Sequence, residues 1–269
     1  LQYIGQDLQR PECILAEPGG ALWAADARGG VVRIDPGGRQ HLVAQRMSAH
    51  FQSAGSESTR YLTGTLPNGL AFARNGDFLI ANFGTDCLER MTREGESTVL
   101  ADRLNGQPVG KVNFVLRDSK DRIWVTVSTR VKNWMHALRT DLADGYVARY
   151  EGGALRVVAD GFRFTNEIRF DAREEFLYVV ETTGGCITRL RIDDRGEAVA
   201  RRAGAAILGL EDRLHLVLVE PRPRRAHRGV QARPRRVDGA LQRGDLGAAL
   251  HDTHRRSEEH TSELQSRFG

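Results

Sequence analysis

The chain has 269 residues, enough for one large all-β domain, and a formal net charge of +4. Residues 213–269 contain 12 Arg and 7 Asp or Glu, which gives this segment a net charge of +5. The net charge of residues 1–212 is therefore −1. Because the basic excess belongs to the C-terminal tail, it does not indicate a nucleic acid as a partner. No apolar run approaches the ~18 residues of a membrane helix, so we expect no membrane association either.

One sequence unit recurs four times along the chain, and each copy begins with a single polar residue, which we call its opener. The openers are separated by 56, 45 and 53 residues, and they are Glu12, Asn68, Asn113 and Asn166. In each copy a large apolar residue follows 11 positions after the opener, and a short turn sequence precedes it. These apolar residues are Trp23, Leu79, Trp124 and Leu177.

The segments between the turns alternate with the two-residue period of β-strands. A repeat of this length is typical of a four-stranded propeller blade. The sequence therefore predicts an all-β propeller, in which the openers meet near a common axis. Trp23 and Trp124 are predicted to pack in the blade cores.

The repeat fails after the fourth copy. Asp212 would open the next unit, but the residue 11 positions later is Pro223, and no Phe, Tyr or Trp occurs between Tyr178 and Phe268. We interpret 1–212 as a partial propeller, 213–255 as a frameshifted segment and 256–269, which contains "RSEEHTSELQS", as an adapter-derived tail. The alternative is a natural, solvated basic tail.

The N-terminus and the cysteines give weaker indications. Leu1 is not a start Met, so we expect a truncated N-terminus, and no secretory leader precedes Gln2. Cys13, Cys87 and Cys186 lack metal-type spacing, which favours buried residues or free thiols over a disulfide framework. A reducing cytoplasm is the default expectation, and we expect a monomer.

Four stretches of the chain resemble the SMP-30/gluconolactonase/LRE-like family of six-bladed propellers. They are "RPECILAEPGGALWAADARGGVVRID", "LPNGLAF", "VNFVLRDSKDRIWVTVSTR" and "DGFRFTNEIRFDAREEFLYVVET". The resemblance implies six blades, of which this chain encodes about four faithfully. It also implies a metal-dependent hydrolase that opens sugar-type lactones to aldonic acids, with one divalent cation, calcium or zinc, on the propeller axis.

The family's three metal ligands correspond to Glu12 in "PEC", Asn166 in "TNE" and Asp212 in "LED". Two carboxylates and an amide carbonyl are hard oxygen donors, which also suit magnesium or manganese. Three protein ligands leave positions open for water and a lactone oxygen, so the cation would polarise the carbonyl and acidify a water. Asp212 could also take the proton from that water, which makes it the catalytic candidate.

The resemblance also gives two candidate contacts to the substrate. Asn113 is implied to bind a substrate hydroxyl beside the metal, and Lys111 matches the place of a basic residue that reaches the substrate. The segment from Ser128 to Ala143 is not strand-like and is predicted to be an inserted loop over the channel mouth. Its His136 and Arg139 could shape specificity.

Other interpretations remain open. Asn residues before strands are often turn formers, and we expect a structural role for Asn68. The protein could be a non-catalytic propeller that binds a ligand or a protein on the channel rim, or an inactive fragment. Glu12 favours the enzyme, because a lone acid at an axial position is costly to bury unpaired. No G-x-S-x-G, P-loop or H-E-x-x-H motif occurs, which argues against a serine hydrolase, a nucleotide-binding protein and a zincin-type metalloprotease.

Overall fold

The computed structural model describes residues 4–46 and 64–206. Within them the protein is all-β, with four four-stranded antiparallel sheets in which consecutive strands pair. Asp212, the predicted frameshifted segment 213–255 and the predicted adapter-derived tail 256–269 lie outside the described residues. No helix in the described ranges is both long enough and apolar enough to span a membrane.

The first two sheets follow each other along the chain. Sheet 1 contains β1 (Ile14–Ala16), β2 (Leu22–Asp26), β3 (Gly30–Ile34) and β4 (Gln40–Ala44). Sheet 2 contains β5 (Pro67–Phe72), β6 (Phe78–Asn82), β7 (Cys87–Met91) and β8 (Ser97–Ala101). A two-stranded ribbon then follows, made of β9 (Arg103–Leu104) and β10 (Gln107–Pro108).

Sheets 3 and 4 complete the described part of the chain. Sheet 3 contains β11 (Val112–Arg117), β12 (Ile123–Val127), β13 (Gly145–Glu151) and β14 (Ala154–Phe162). Sheet 4 contains β15 (Thr165–Phe170), β16 (Phe176–Glu181), β17 (Cys186–Ile192) and β18 (Ala198–Ala206). The predicted all-β fold is confirmed, while the count of six blades stays a prediction.

The apolar residue 11 positions after each opener lies in the second strand of its sheet. All four are buried, with exposed fractions of 4% or less: Trp23, Leu79, Trp124 and Leu177. Trp23, Trp124 and Leu177 belong to one apolar cluster that also includes residues from sheet 2. The predicted packing role of the two tryptophans is therefore confirmed.

The first strands of successive sheets are neighbours: β1 contacts β5, β5 contacts β11, and β11 contacts β15. The backbones of β5 and β11 approach closely at Gly69, where an added Cβ would lie 2.6 Å from the Cα of Phe114. Only glycine leaves room for two backbones at this separation. The contact brings the openers of sheets 2 and 3 within reach of each other.

The predicted loop from Ser128 to Ala143 contains a single-turn 3₁₀ helix, Trp134–Ala137, whose first turn is capped by Asn133. Ala137 and Trp134 pack in an apolar cluster with Leu66 and Phe164. These last two residues lie two positions before the openers Asn68 and Asn166, so the loop covers the end of the sheets where the openers lie.

The three cysteines are free thiols, and Cys13 and Cys87 are buried. The sequence-based expectation of buried or free cysteines is confirmed for the side chains that the structure describes.

Candidate functional site

The three asparagine openers all lie in β-bulges at the start of the first strand of their sheets. The pairing register shifts between 67 and 69 in β5, between 112 and 114 in β11, and between 165 and 168 in β15. A bulge removes a residue from the strand ladder and re-aims its side chain. Three sheets therefore present a polar side chain at the same place, next to the neighbouring first strand.

A line of polar contacts joins the openers of sheets 1, 2 and 3. The Arg10 Nε lies 3.1 Å from a carboxylate oxygen of Glu12, and its Nη1 donates to Asn68 Oδ1 at 3.0 Å. The Nδ2 of Asn68 then donates to the backbone oxygen of Asn113 at 2.9 Å and to its Oδ1 at 3.2 Å. We call these four residues the polar line.

Asn166, the opener of sheet 4, is tied to sheet 3 by its backbone. Its carbonyl oxygen accepts a hydrogen bond from Thr126 Oγ1 at 2.8 Å, and its Nδ2 lies 3.4 Å from Thr182 Oγ1. The side chain is half-buried. The amide of Asn166 is thus held at the surface of the bulge rather than enclosed in the core.

Cys13, the residue directly before β1, has a buried thiol. Burial raises the pKa of this thiol. The hydrogen bond to the backbone oxygen of Leu70 and the charge of Arg169 lower the pKa in part, whereas the charges of Glu167 and Glu12 raise it further. Cys13 and Ile168 of β15 belong to one apolar cluster, so the start of β1 and the strand β15 border the same part of the core.

The donor chemistry at these strand starts fits a hard divalent cation. Glu12 offers a carboxylate with a 39% exposed side chain, and Asn166 offers an amide oxygen. Glu12 is paired with Arg10 and only partly buried, and its role as a metal ligand stays a prediction. The third predicted ligand, Asp212, lies outside the described residues, and within them no three His, Cys, Asp or Glu side chains are grouped to hold an ion.

Lys111 is fully buried, with an exposed side-chain fraction of 0%. Its Nζ lies 2.8 Å from Asp86 Oδ1, donates to the Phe83 carbonyl at 3.3 Å and lies 5.5 Å from the centroid of the Phe83 ring. Burial raises the pKa of the Asp86 carboxyl, and the charge of Lys111 opposes that rise. These contacts give Lys111 a structural role between sheets 2 and 3, and its direct contact with a substrate stays a prediction.

The sequence analysis missed a second repeated polar position, 14 or 15 residues after each opener. These side chains end or directly follow the second strand of each sheet, with exposed fractions of 2% or less: Asp26, Asn82, Ser128 and Glu181. Three of them accept a backbone N–H from just before the opener, at 2.8 to 3.0 Å, and Ser128 donates to the Thr165 carbonyl. The recurrence was visible in the sequence as a second polar residue at nearly constant spacing from each opener.

These observations define a β-propeller-type protein whose first strands carry polar side chains on one end of adjoining sheets. The model of the SMP-30/Gluconolactonase/LRE-like region matches residues 11–212, and the chain belongs to this family.

Three similar proteins illustrate the relationship. The adipocyte plasma membrane-associated protein of Danio rerio is 29% identical over 187 residues, which are 66% of this chain and 44% of that protein. A gluconolactonase of Xanthomonas campestris superposes with a TM-score of 0.57 at 21% identity, covering 73% of this chain and 63% of its own. The calcium-binding protein regucalcin of Agrobacterium tumefaciens gives 0.57 at 17% identity, covering 77% and 62%. The two structural likenesses show the fold, and this chain spans less than two thirds of each protein.

Proposed function

We propose that the protein is a metal-dependent hydrolase of sugar-type lactones, which adds water to the ring ester and releases the aldonic acid. Family membership and the gluconolactonase fold support a gluconolactonase-like role. The observation that carries the proposal is the polar line, in which Glu12 and Asn113 are connected through Arg10 and Asn68 at the strand starts.

The proposed cofactor is one divalent cation, calcium or zinc, with magnesium or manganese as alternatives. Glu12, Asn166 and Asp212 would hold it, and when bound it would supply Lewis-acid chemistry for ester hydrolysis. The calcium-binding protein among the structural neighbours makes calcium the first ion to test. The proposed role of Asp212 is also to accept the proton of the attacking water.

The protein's own residues position the reactants in this proposal. Arg10 holds the carboxylate of Glu12 at 3.1 Å and restricts its movement. Asn113 is 6% exposed, in a bulge, and its proposed task is to bind a substrate oxygen beside the metal ligands. The loop with Trp134–Ala137 packs beside Leu66 and Phe164 and covers the same end of the sheets, where it would limit access to the site.

The test is Glu12→Gln in the full chain, with the exposed Glu94→Gln as the matched control. Gln keeps the size of the side chain but removes one of the two proposed ligand charges, and affinity depends on charge count. We expect calcium affinity measured by calorimetry to fall at least about tenfold and hydrolysis of δ-gluconolactone to fall with it. Glu94→Gln should match the wild type in both measurements.

Wild-type turnover by Glu12→Gln at saturating calcium would contradict the proposal. In that case the alternative of a non-catalytic, ligand-binding propeller takes its place.

A further inference from the structure

We propose that Asn68 is a positioning residue that fixes the side-chain amide of Asn113, so that the Nδ2 of Asn113 is the group that donates a hydrogen bond to an acceptor oxygen of the substrate. This inference rests on the proposed function for the location of the substrate. It assigns Asn68 a role beyond strand packing, and it assigns Asn113 a direction of hydrogen bonding.

The first step fixes the amide of Asn68. A guanidinium has five N–H donors and no acceptor, so the atom of Asn68 that faces Arg10 Nη1 at 3.0 Å has to be an oxygen. The amide of an asparagine is usually oriented by its hydrogen-bond network, and here the donor-only partner leaves one choice. The Nδ2 group of Asn68 therefore faces the opposite side, toward β11.

The second step fixes the amide of Asn113. The two N–H groups of Asn68 Nδ2 have two acceptors, the backbone oxygen of Asn113 at 2.9 Å and its Oδ1 at 3.2 Å. Because Nδ2 is a donor, the atom of Asn113 that faces it has to be Oδ1. Asn68 is 3% exposed, so water does not readily replace it in this arrangement.

The third step concerns the remaining group of Asn113. Within the described part of the chain, its Nδ2 makes no hydrogen bond, and it is not among the side-chain atoms that are fully enclosed without a partner. It therefore retains contact with solvent and can donate to a bound oxygen. Oδ1 accepts from Asn68, so the group that Asn113 offers to a carbonyl, ring or hydroxyl oxygen of the substrate is its Nδ2.

The test compares Asn68→Asp with Asn113→Asp in the full chain. The first substitution keeps an oxygen toward Arg10 but removes the donor to Asn113, whereas the second removes the proposed donor to the substrate. Each variant should raise KM for δ-gluconolactone about tenfold, because both act through one contact. Asn75→Asp, an exposed turn residue, is the matched control and should leave KM unchanged.

A second measurement does not depend on activity. In protein labelled with ¹⁵N-asparagine, the side-chain amide signal of Asn113 is assigned by its disappearance in Asn113→Asp. Asn68→Asp should shift this signal and speed its exchange with water, while Asn75→Asp should not.

The two measurements distinguish failure of the positioning role from failure of the proposed function. An unchanged Asn113 amide signal in a folded Asn68→Asp variant overturns the positioning role, as does wild-type KM in that variant. If the wild type does not hydrolyse the lactone but the amide signal responds as expected, the proposed function fails and the orientation of Asn113 stands.

Discussion

Glu89 is a buried carboxylate whose three hydrogen-bond donors are all neutral. Its Oε2 accepts from Gln45 Nε2 at 2.8 Å and Asn82 Nδ2 at 2.9 Å, and its Oε1 accepts from Thr85 Oγ1 at 2.7 Å. Burial raises the pKa of Glu89, and these three hydrogen bonds only partly offset that rise. Folding therefore favours the protonated carboxyl, and the stability that this group contributes at low pH is lost as pH rises from about 4.5 through the folded-state pKa.

We predict that Glu89→Gln stabilises the protein at neutral pH. The amide removes the buried charge, its oxygen can accept from Gln45 and Asn82, and the hydroxyl of Thr85 can rotate to accept from its Nε2. Relative to the wild type, the gain in unfolding free energy should be on the order of 1 kcal/mol at pH 7 and should vanish near pH 4. Urea unfolding at several pH values measures this, and a difference that does not change with pH would contradict the account.

At the residue scale, the sequence located the openers but not their partners. Asn68 was expected to be structural, and Arg10 was not identified as the partner of Glu12. Arg10 contacts Asn68 across 58 positions and Asn68 contacts Asn113 across 45, and these pairings depend on the packing of different sheets. The repeat predicted that the openers converge, but it does not predict which of their atoms form hydrogen bonds.

At the scale of elements, the alternation and the turns predicted the strands well. The bulges at Asn68, Asn113 and Asn166 were not predicted, because an inserted residue disturbs a two-residue period over only one or two positions. The close contact of β5 with β11 was not predicted from the sequence either. Gly69 could have been assigned to a turn as readily as to a place where two backbones meet.

We predict that Gly69→Ala destabilises the fold. The added Cβ would lie 2.6 Å from Phe114 Cα and 2.8 Å from Val115 N, and these are backbone atoms that cannot rotate away. Overpacking of this kind costs about 1–3 kcal/mol, and the strands should separate near the Asn68–Asn113 contact. The measurement is urea unfolding beside Gly19→Ala, whose Cβ would meet nothing within 4 Å. Equal stability of the two variants would show that β5 and β11 are not in this contact.

At the scale of the whole molecule, the sequence predicted the class of fold because the period, the turns and the buried second-strand residues all agree. One apolar cluster contains residues from all four sheets, among them Trp23, Phe78, Trp124 and Leu177. This is expected for blades packed face to face. The number of blades does not follow from four copies. The assignments of 213–255 and 256–269 stay predictions, and so does the metal site that includes Asp212.

The most direct test of the central claim is the rate of δ-gluconolactone hydrolysis by the full wild-type chain, followed in a pH-stat against the spontaneous rate. The account predicts hydrolysis faster than the spontaneous reaction in the presence of calcium, loss of that acceleration on chelation, and its return when calcium is restored. No acceleration with calcium, zinc, magnesium or manganese would contradict the assignment of lactone hydrolysis to this chain.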